Sequence, residues 1–228
     1  MRFFLFFTLI ITFSCASKKN VILLQDITDS DSFKVEYSVN TIKPDDILKI
    51  NIFSENPELS IPFNKNLVES NSGLETYKIN GYLVDSKGYI NFPVLGDIYV
   101  KDLTANQVSN LISKNLVEEG LLISPTADVK VINSYFTILG EVNQPGRYNF
   151  LENNINLMQA IGISGDLTIN GERNNIKILR NVDDKIITST VDLTSSDIFE
   201  SDFFQIYSGD IIIVNPNSSR VKNAGIIG

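Results

Sequence analysis

The sequence predicts an α+β fold built as two small domains, each a sheet carrying one helix. Three observations point there. Short apolar runs alternate with polar residues and are separated by turns rich in Gly, Pro and Asp. A capped amphipathic helix stands inside residues 104–116, with strands expected before and after it. The same order, hairpin then capped helix then strands, returns after residue 134.

The chain has 228 residues, 43% of them hydrophobic, which is enough for one large domain or two small ones. Its formal net charge is −8. Phosphate contact requires clustered Lys and Arg, so nucleic acid is not an expected partner. There is no His and no Trp, and only one Cys. That composition removes zinc sites, most redox-metal sites and His-dependent triads.

Residues 1–14 read as a secretory signal: Arg2 precedes a short apolar run, Phe3 to Ile11. The run is shorter than the about 20 residues a membrane-spanning helix needs. Cys15 follows directly, and Thr12-Phe13-Ser14-Cys15 resembles a relaxed lipobox, although a strict one begins with Leu. Cys15 is therefore expected to carry lipid, because several acyl chains on one residue anchor stably. Residues 15–32 are polar and mixed and read as a lipidated tether. Asp29 and Asp31 have the spacing of half a calcium loop, but no glycine turn or distal Glu follows them.

The first domain is expected over 33–133. Phe33, Val35, Tyr37 and Val39 alternate with polar residues and predict a half-exposed strand. Pro44-Asp45-Asp46 is a turn, and Ile47 to Phe53 a strand with Leu48, Ile50 and Ile52 on one face. Adjacent carboxylates rarely face one another, so Asp45 and Asp46 are read as turn chemistry and not as an acid–base pair. Residues 54–76 form a loop. A hairpin follows, with Tyr82 and Val84 before the Asp85-Ser86-Lys87-Gly88 turn and Tyr89, Ile90 and Phe92 after it; Gly88 takes the left-handed position. Pro93 lacks an N–H and stops the ladder, and Gly96 lies just beyond. Thr104 and Gln107 have capping-box spacing, Leu103 and Val108 that of a hydrophobic staple. Val108, Leu111, Ile112 and Leu116 line one helix face, and Gly120 ends it. Val129 and Val131 belong to a return strand.

The second domain is expected over 134–216. A strand through Gly140, Glu141 and Val142 turns at Gln144-Pro145-Gly146, and Arg147, Tyr148 and Phe150 return. Glu141 and Arg147 flank this turn and are placed to pair across it. Asn156 caps a short helix with Gln159 three residues on; Gly162 and Gly165 end it. Strands follow at Ile176 to Leu179, with Arg180 after it, and at Ile186 to Leu193. Residues 195–204 carry a short helix. Ser208-Gly209-Asp210 is a turn before a strand at Ile211 to Val214. The piece PDDILKI at 44–50 echoes SGDIIIV at 208–214, one local solution used twice.

These residues carry a family resemblance. Gly88, Ile90, Pro93, Leu95, Gly96, Ile98, Val100, Leu103 and Thr104 match the run "G-x-I-x-x-P-x-L-G-x-I-x-V-x-G-L-T" of the outer-membrane polysaccharide export family. Asp102 stands where that family has Gly. Pro44, Asp46, Leu48 and Ile50 match its "P-G-D-x-L-x-I" turn and strand, with Asp45 replacing the glycine. Gly140, Glu141, Val142, Pro145, Gly146 and Tyr148 match "G-E-V-x-x-P-G-x-Y", which opens the soluble-ligand-binding β-grasp domain of the same family. Gly165 falls at its "A-G-G" place.

The resemblance implies a lipoprotein of the outer membrane that faces the periplasm and helps export capsular polysaccharide or exopolysaccharide. It implies a cyclic homo-oligomer around a passive conduit, with no cofactor and no covalent step. An inner-membrane copolymerase with its tyrosine kinase would feed the polymer. Family members often continue into a C-terminal membrane helix, and residues 217–228 read as a tail ahead of any such segment. Two other classes remain open: a monomeric periplasmic ligand-binding module, and a glycosidase, which needs two convergent carboxylates about 5–10 Å apart.

Overall fold

A computed structural model of the chain describes residues 21–64, 81–183, 185–223 and 225. The segment expected to be a secretory signal, residues 1–14, and Cys15 lie outside the described residues. What is described is an α+β fold with two hydrophobic cores, each under its own sheet.

The first module is organised on β1 (Ile47–Phe53). Leu48, Ile50 and Ile52 alternate inward, and all three are buried, as a period of two requires. β1 pairs antiparallel with β2 (Tyr82–Leu83) on one side and β5 (Thr126–Val131) on the other. A four-residue helix α1 (Pro57–Ser60) and a 3₁₀ turn at Ile61–Phe63 follow β1.

β3 (Tyr89–Phe92) and β4 (Gly96–Tyr99) form a separate two-stranded hairpin. This corrects the expected hairpin. The Asp85–Gly88 turn forms, with Gly88 at φ +92°, and Asp85 N–H donates to the Tyr89 carbonyl at 2.8 Å. The ladder, however, runs from β3 to β4, while β2 pairs with β1. Alternation shows which face is buried; it does not show which neighbour completes the ladder. Pro93 ends β3 as expected and opens the β3–β4 turn.

Helix α2 (Ala105–Glu118) begins at a complete capping box. Gln107 N–H donates to the Thr104 hydroxyl at 3.1 Å, and Thr104 N–H donates to Gln107 Oε1 at 2.8 Å. Val108, Ile112 and Leu116 are buried on its inner face, and Gly120, at φ +68°, ends the helix in the left-handed conformation.

The second module holds a five-stranded sheet in the order β10–β9–β12–β6–β7. The strands are β6 (Tyr135–Gly140), β7 (Gly146–Asn149), β9 (Gly171–Val182), β10 (Lys185–Val191) and β12 (Ile211–Pro216). Only β6 and β12 are parallel. β8 (Ile155–Asn156) pairs with β11 (Gln205–Ile206) beside it. Helix α3 (Leu157–Ile163) starts at a second capping box, Asn156 with Gln159. The stretch expected to hold a short helix contains a 3₁₀ turn at Ser196–Glu200. α4 (Ser218–Asn223) closes the described chain. Among the described residues no helix is long and apolar enough to cross a membrane, a statement that does not bear on strands.

Residues 21–40 depart from the expectation most. They form neither a strand at 33–39 nor a free tether at 21–32. They run as a strap along the second module, turned at residues 24–31 and without regular secondary structure over 31–40. Leu24 N–H donates to the Leu193 carbonyl and Gln25 N–H to the Thr194 carbonyl, both at 3.0 Å. Asp26 accepts from Ser196 N–H and from its hydroxyl, the latter at 2.8 Å. Phe33 packs on Phe199 with ring centroids 4.9 Å apart, and Leu23, Leu24 and Val35 cover the second core. The chain then crosses to the first module, where Ile42 N–H donates to the Leu103 carbonyl at 2.8 Å. Of the alternating residues at 33–39 only Val35 is partly buried, against the second core, and Val39 is 73% exposed.

Candidate functional site

The crossing point makes a cleft of about 190 Å³ between the modules. Lys43, Asp46 and Lys130 line it from the first module; Leu151, Glu152, Tyr207 and Ser208 line it from the second. Two copies of one turn border it. Lys43 N–H donates to Asp46 Oδ2 at 2.8 Å, and Tyr207 N–H donates to Asp210 Oδ2 at 2.9 Å. The residue before each Asp is left-handed: Asp45 at φ +69° and Gly209 at φ +89°. The echo between residues 44–50 and 208–214 is therefore a shared backbone geometry. It explains why Asp stands in for the family's Gly at 45, since Asp tolerates this conformation better than most residues. Asp102 does the same at φ +62°. Burial raises the Asp46 carboxyl above its ordinary value, against the stabilising Lys43 N–H.

Asp210 also holds the one buried ion pair among the described residues. Arg180 Nη2 lies 2.7 Å from Asp210 Oδ2, and Nε 3.0 Å from Oδ1, a bidentate fork. The guanidinium further donates to the carbonyls of Asp202 at 3.1 Å and Gln205 at 2.7 Å. It lies over the rings of Phe203 and Tyr207, at 4.6 and 4.1 Å from their centroids. The sequence pattern sets Arg180 just after its strand. It is inside β9, on the same buried face as Ile176 and Ile178. The signal was available: Ile176, Ile178 and Arg180 share a period of two.

Beside this pair, Gln205 fastens the strap. Its Oε1 accepts from Ser38 N–H at 2.7 Å, and its Nε2 donates to the Ser38 carbonyl at 2.9 Å and to Asn154 Oδ1 at 3.1 Å. Asn40 Nδ2 adds a bond to the Asn153 carbonyl at 2.6 Å. A polar hollow of about 430 Å³ lies here, bordered by Lys34, Glu36, Arg180 and Tyr207. Nothing in the sequence around Gln205 marks it, because its partner is 167 positions away.

The remaining motif residues are scattered by module and serve the backbone. In the first module Pro44 opens the Asp46 turn, Gly88 precedes β3, Gly96 opens β4, and Thr104 caps α2. In the second, a Cβ on Gly140 would fall 2.0 Å from the Val214 carbonyl oxygen, so only glycine fits beside β12. Pro145 and Gly146 make the turn into β7, and the Tyr148 hydroxyl donates to the Gln144 carbonyl above it. Asn143 Nδ2 donates to the Gly165 carbonyl at 2.6 Å. Glu141 and Arg147 do not pair. Glu141 accepts from the Thr168 hydroxyl at 2.6 Å and lies 3.5 Å from Arg220 Nε, while Arg147 lies over the Tyr135 ring.

Comparison with known proteins matches residues 35–132 to the family described as polysaccharide biosynthesis/export protein. The EPS I polysaccharide export outer membrane protein EpsA of Ralstonia nicotianae is 28% identical over 143 residues, covering 59% of this chain and 37% of that protein. The protein of the same name from Ralstonia solanacearum is 25% identical over 160 residues, 67% of this chain and 42% of that protein. The chain thus spans about two fifths of the length of the curated relatives it matches. The matched region holds the Asp46 turn, the β3–β4 hairpin and the capped helix α2 that carry the motif, so the similarity to polysaccharide biosynthesis/export proteins lies in the first module.

Proposed function

We propose that this chain is a subunit of an outer-membrane assembly that exports capsular polysaccharide or exopolysaccharide. The supporting observation is the match over residues 35–132, which contains the Asp46 turn, the β3–β4 hairpin and the capped helix α2. In this reading residues 1–14 direct secretion, Cys15 carries the lipid anchor, and the two modules face the periplasm. The second module acts as the soluble-ligand-binding β-grasp domain. Copies of the chain close into a ring, since one subunit of this size cannot enclose a polymer. The conduit is passive, and an inner-membrane copolymerase with its tyrosine kinase delivers the polymer.

The strap suits such a role. It ties the module bearing the hairpin and helix to the β-grasp module through Gln205 and Asp26, so the two would move as one block. Deleting the gene and staining for surface polysaccharide tests the reading. Loss of surface polymer with retention in the periplasm is expected; unchanged surface polymer overturns it. Light scattering on detergent-extracted protein separates the ring from a monomeric binding module. Acyl labelling of a Cys15→Ala variant, expected to be lost, tests the anchor.

A further inference from the structure

The outer face of the β3–β4 hairpin carries four side chains in two cross-strand pairs. Tyr89 stands opposite Tyr99, and Asn91 opposite Asp97. Residues opposite one another, and residues two apart, share a face, so all four point the same way. The inner face, Ile90, Phe92 and Ile98, is buried in the first core. The hairpin is therefore anchored from within. Its outer rings remain 39% and 44% exposed.

The two rings meet edge to face, with centroids 5.1 Å apart and planes at 69°. They form a corner that leaves ring surface open to solvent. Next to it, Asn91 Nδ2 donates to Asp97 Oδ1 at 2.9 Å. That bond uses one of the two amide protons and one carboxylate oxygen site, leaving the amide carbonyl, the second N–H and further carboxylate lone pairs for other partners. Gly88 makes room for the corner, since a Cβ there would fall 3.1 Å from Tyr99 Cε2.

A rigid aromatic surface beside a planar amide and a carboxylate is complementary to a pyranose ring. The sugar's axial C–H face is apolar and stacks on an aromatic face, and its rim of hydroxyls both donates and accepts. Tyr adds contact area at low cost in side-chain freedom. We propose that Tyr89, Tyr99, Asn91 and Asp97 form a saccharide-contact platform for the exported polymer. Asp97 and the chain's net charge of −8 favour a segment of neutral sugar over one of closely spaced uronic acids. This inference rests on the export reading.

The test uses the full chain and oligosaccharides released by partial hydrolysis of the cell's own surface polysaccharide, with binding followed by calorimetry. The wild type is expected to bind. Tyr89→Ala with Tyr99→Ala is expected to weaken binding at least tenfold, and Tyr89→Phe with Tyr99→Phe to stay within threefold. Circular dichroism checks the fold. Should the alanine pair unfold, Asn91→Ala with Asp97→Ala, both exposed, is expected to weaken binding at least threefold. A gene deletion runs in parallel. Loss of surface polymer on deletion, with no wild-type binding or with folded variants binding within twofold of wild type, overturns the platform and leaves the export reading standing. Unchanged surface polymer on deletion overturns the export reading, and the platform falls with it.

Discussion

Gln205 treats Ser38 as a β-strand would treat its neighbour. Its amide oxygen takes the Ser38 N–H at 2.7 Å, and its amide nitrogen gives to the Ser38 carbonyl at 2.9 Å. One buried side chain thereby replaces a ladder for a strap that has none. Asn64 does the same for Ile52, accepting at 2.7 Å and donating at 2.9 Å. Asn133 caps the start of β1 by accepting from Ile47 N–H at 2.8 Å and donating to the Asp45 carbonyl at 2.8 Å.

Gln205→Ala should release the strap. It leaves the Ser38 backbone groups and Asn154 without their partner, at a cost of about 2 kcal/mol. Gln205→Glu should cost more, because a carboxylate would face the Ser38 carbonyl. Trypsin cleavage after exposed Lys34 reports the release; cleavage no faster than wild type would contradict the latch.

The Arg180–Asp210 pair should be intolerant of single changes. Arg180→Met or Asp210→Ala leaves one buried charge uncompensated and should destabilise by about 3–5 kcal/mol. The double variant should cost less than the sum, though Asp210 also caps Tyr207. A denaturant double-mutant cycle measures the coupling.

Val94, at the tip of the β3–β4 hairpin, has φ +68°. Leu95 N–H donates to the Pro93 carbonyl at 2.8 Å, which makes a γ-turn of positive φ, a strained form for a β-branched residue. Val94→Gly should raise stability by about 1 kcal/mol, read from the urea midpoint. A lower midpoint would show that the side chain contributes more than the strain.

Asp46 should make stability depend on pH. Burial raises its folded value above the ordinary 3.8. Its favourable contribution is then present below pH 3.8 and lost as pH rises through the raised folded value. Asp46→Asn keeps an acceptor for Lys43 N–H without the charge, so its stability relative to wild type should increase across that window. Urea unfolding at several pH values checks this.

Asp26 should behave in the opposite sense. The Ser196 N–H, then its hydroxyl, hold its carboxyl below the ordinary value. The contribution is present above pH 3.8 and lost as pH falls through the lower folded value. Hydrogen exchange at Leu24 and Gln25 should therefore accelerate, after correction for intrinsic rates, in wild type but not in Asp26→Asn.

Much of this molecule is local, and what is local is legible in its sequence. Thr104 with Gln107, and Asn156 with Gln159, announce their helices because a capping box is satisfied within four residues. The Asp45-Asp46 and Gly209-Asp210 turns, the left-handed Gly88 and Gly120, and the inward faces of β1 and α2 follow from spacing alone. The tertiary structure decided which distant pieces meet: β2 with β1 instead of β3, Glu141 with Thr168 instead of Arg147, the strap with the second module, and Arg180 with Asp210. Periodicity records that a face is covered. It carries no record of what covers it, because a contact across 167 positions has no local backbone signature.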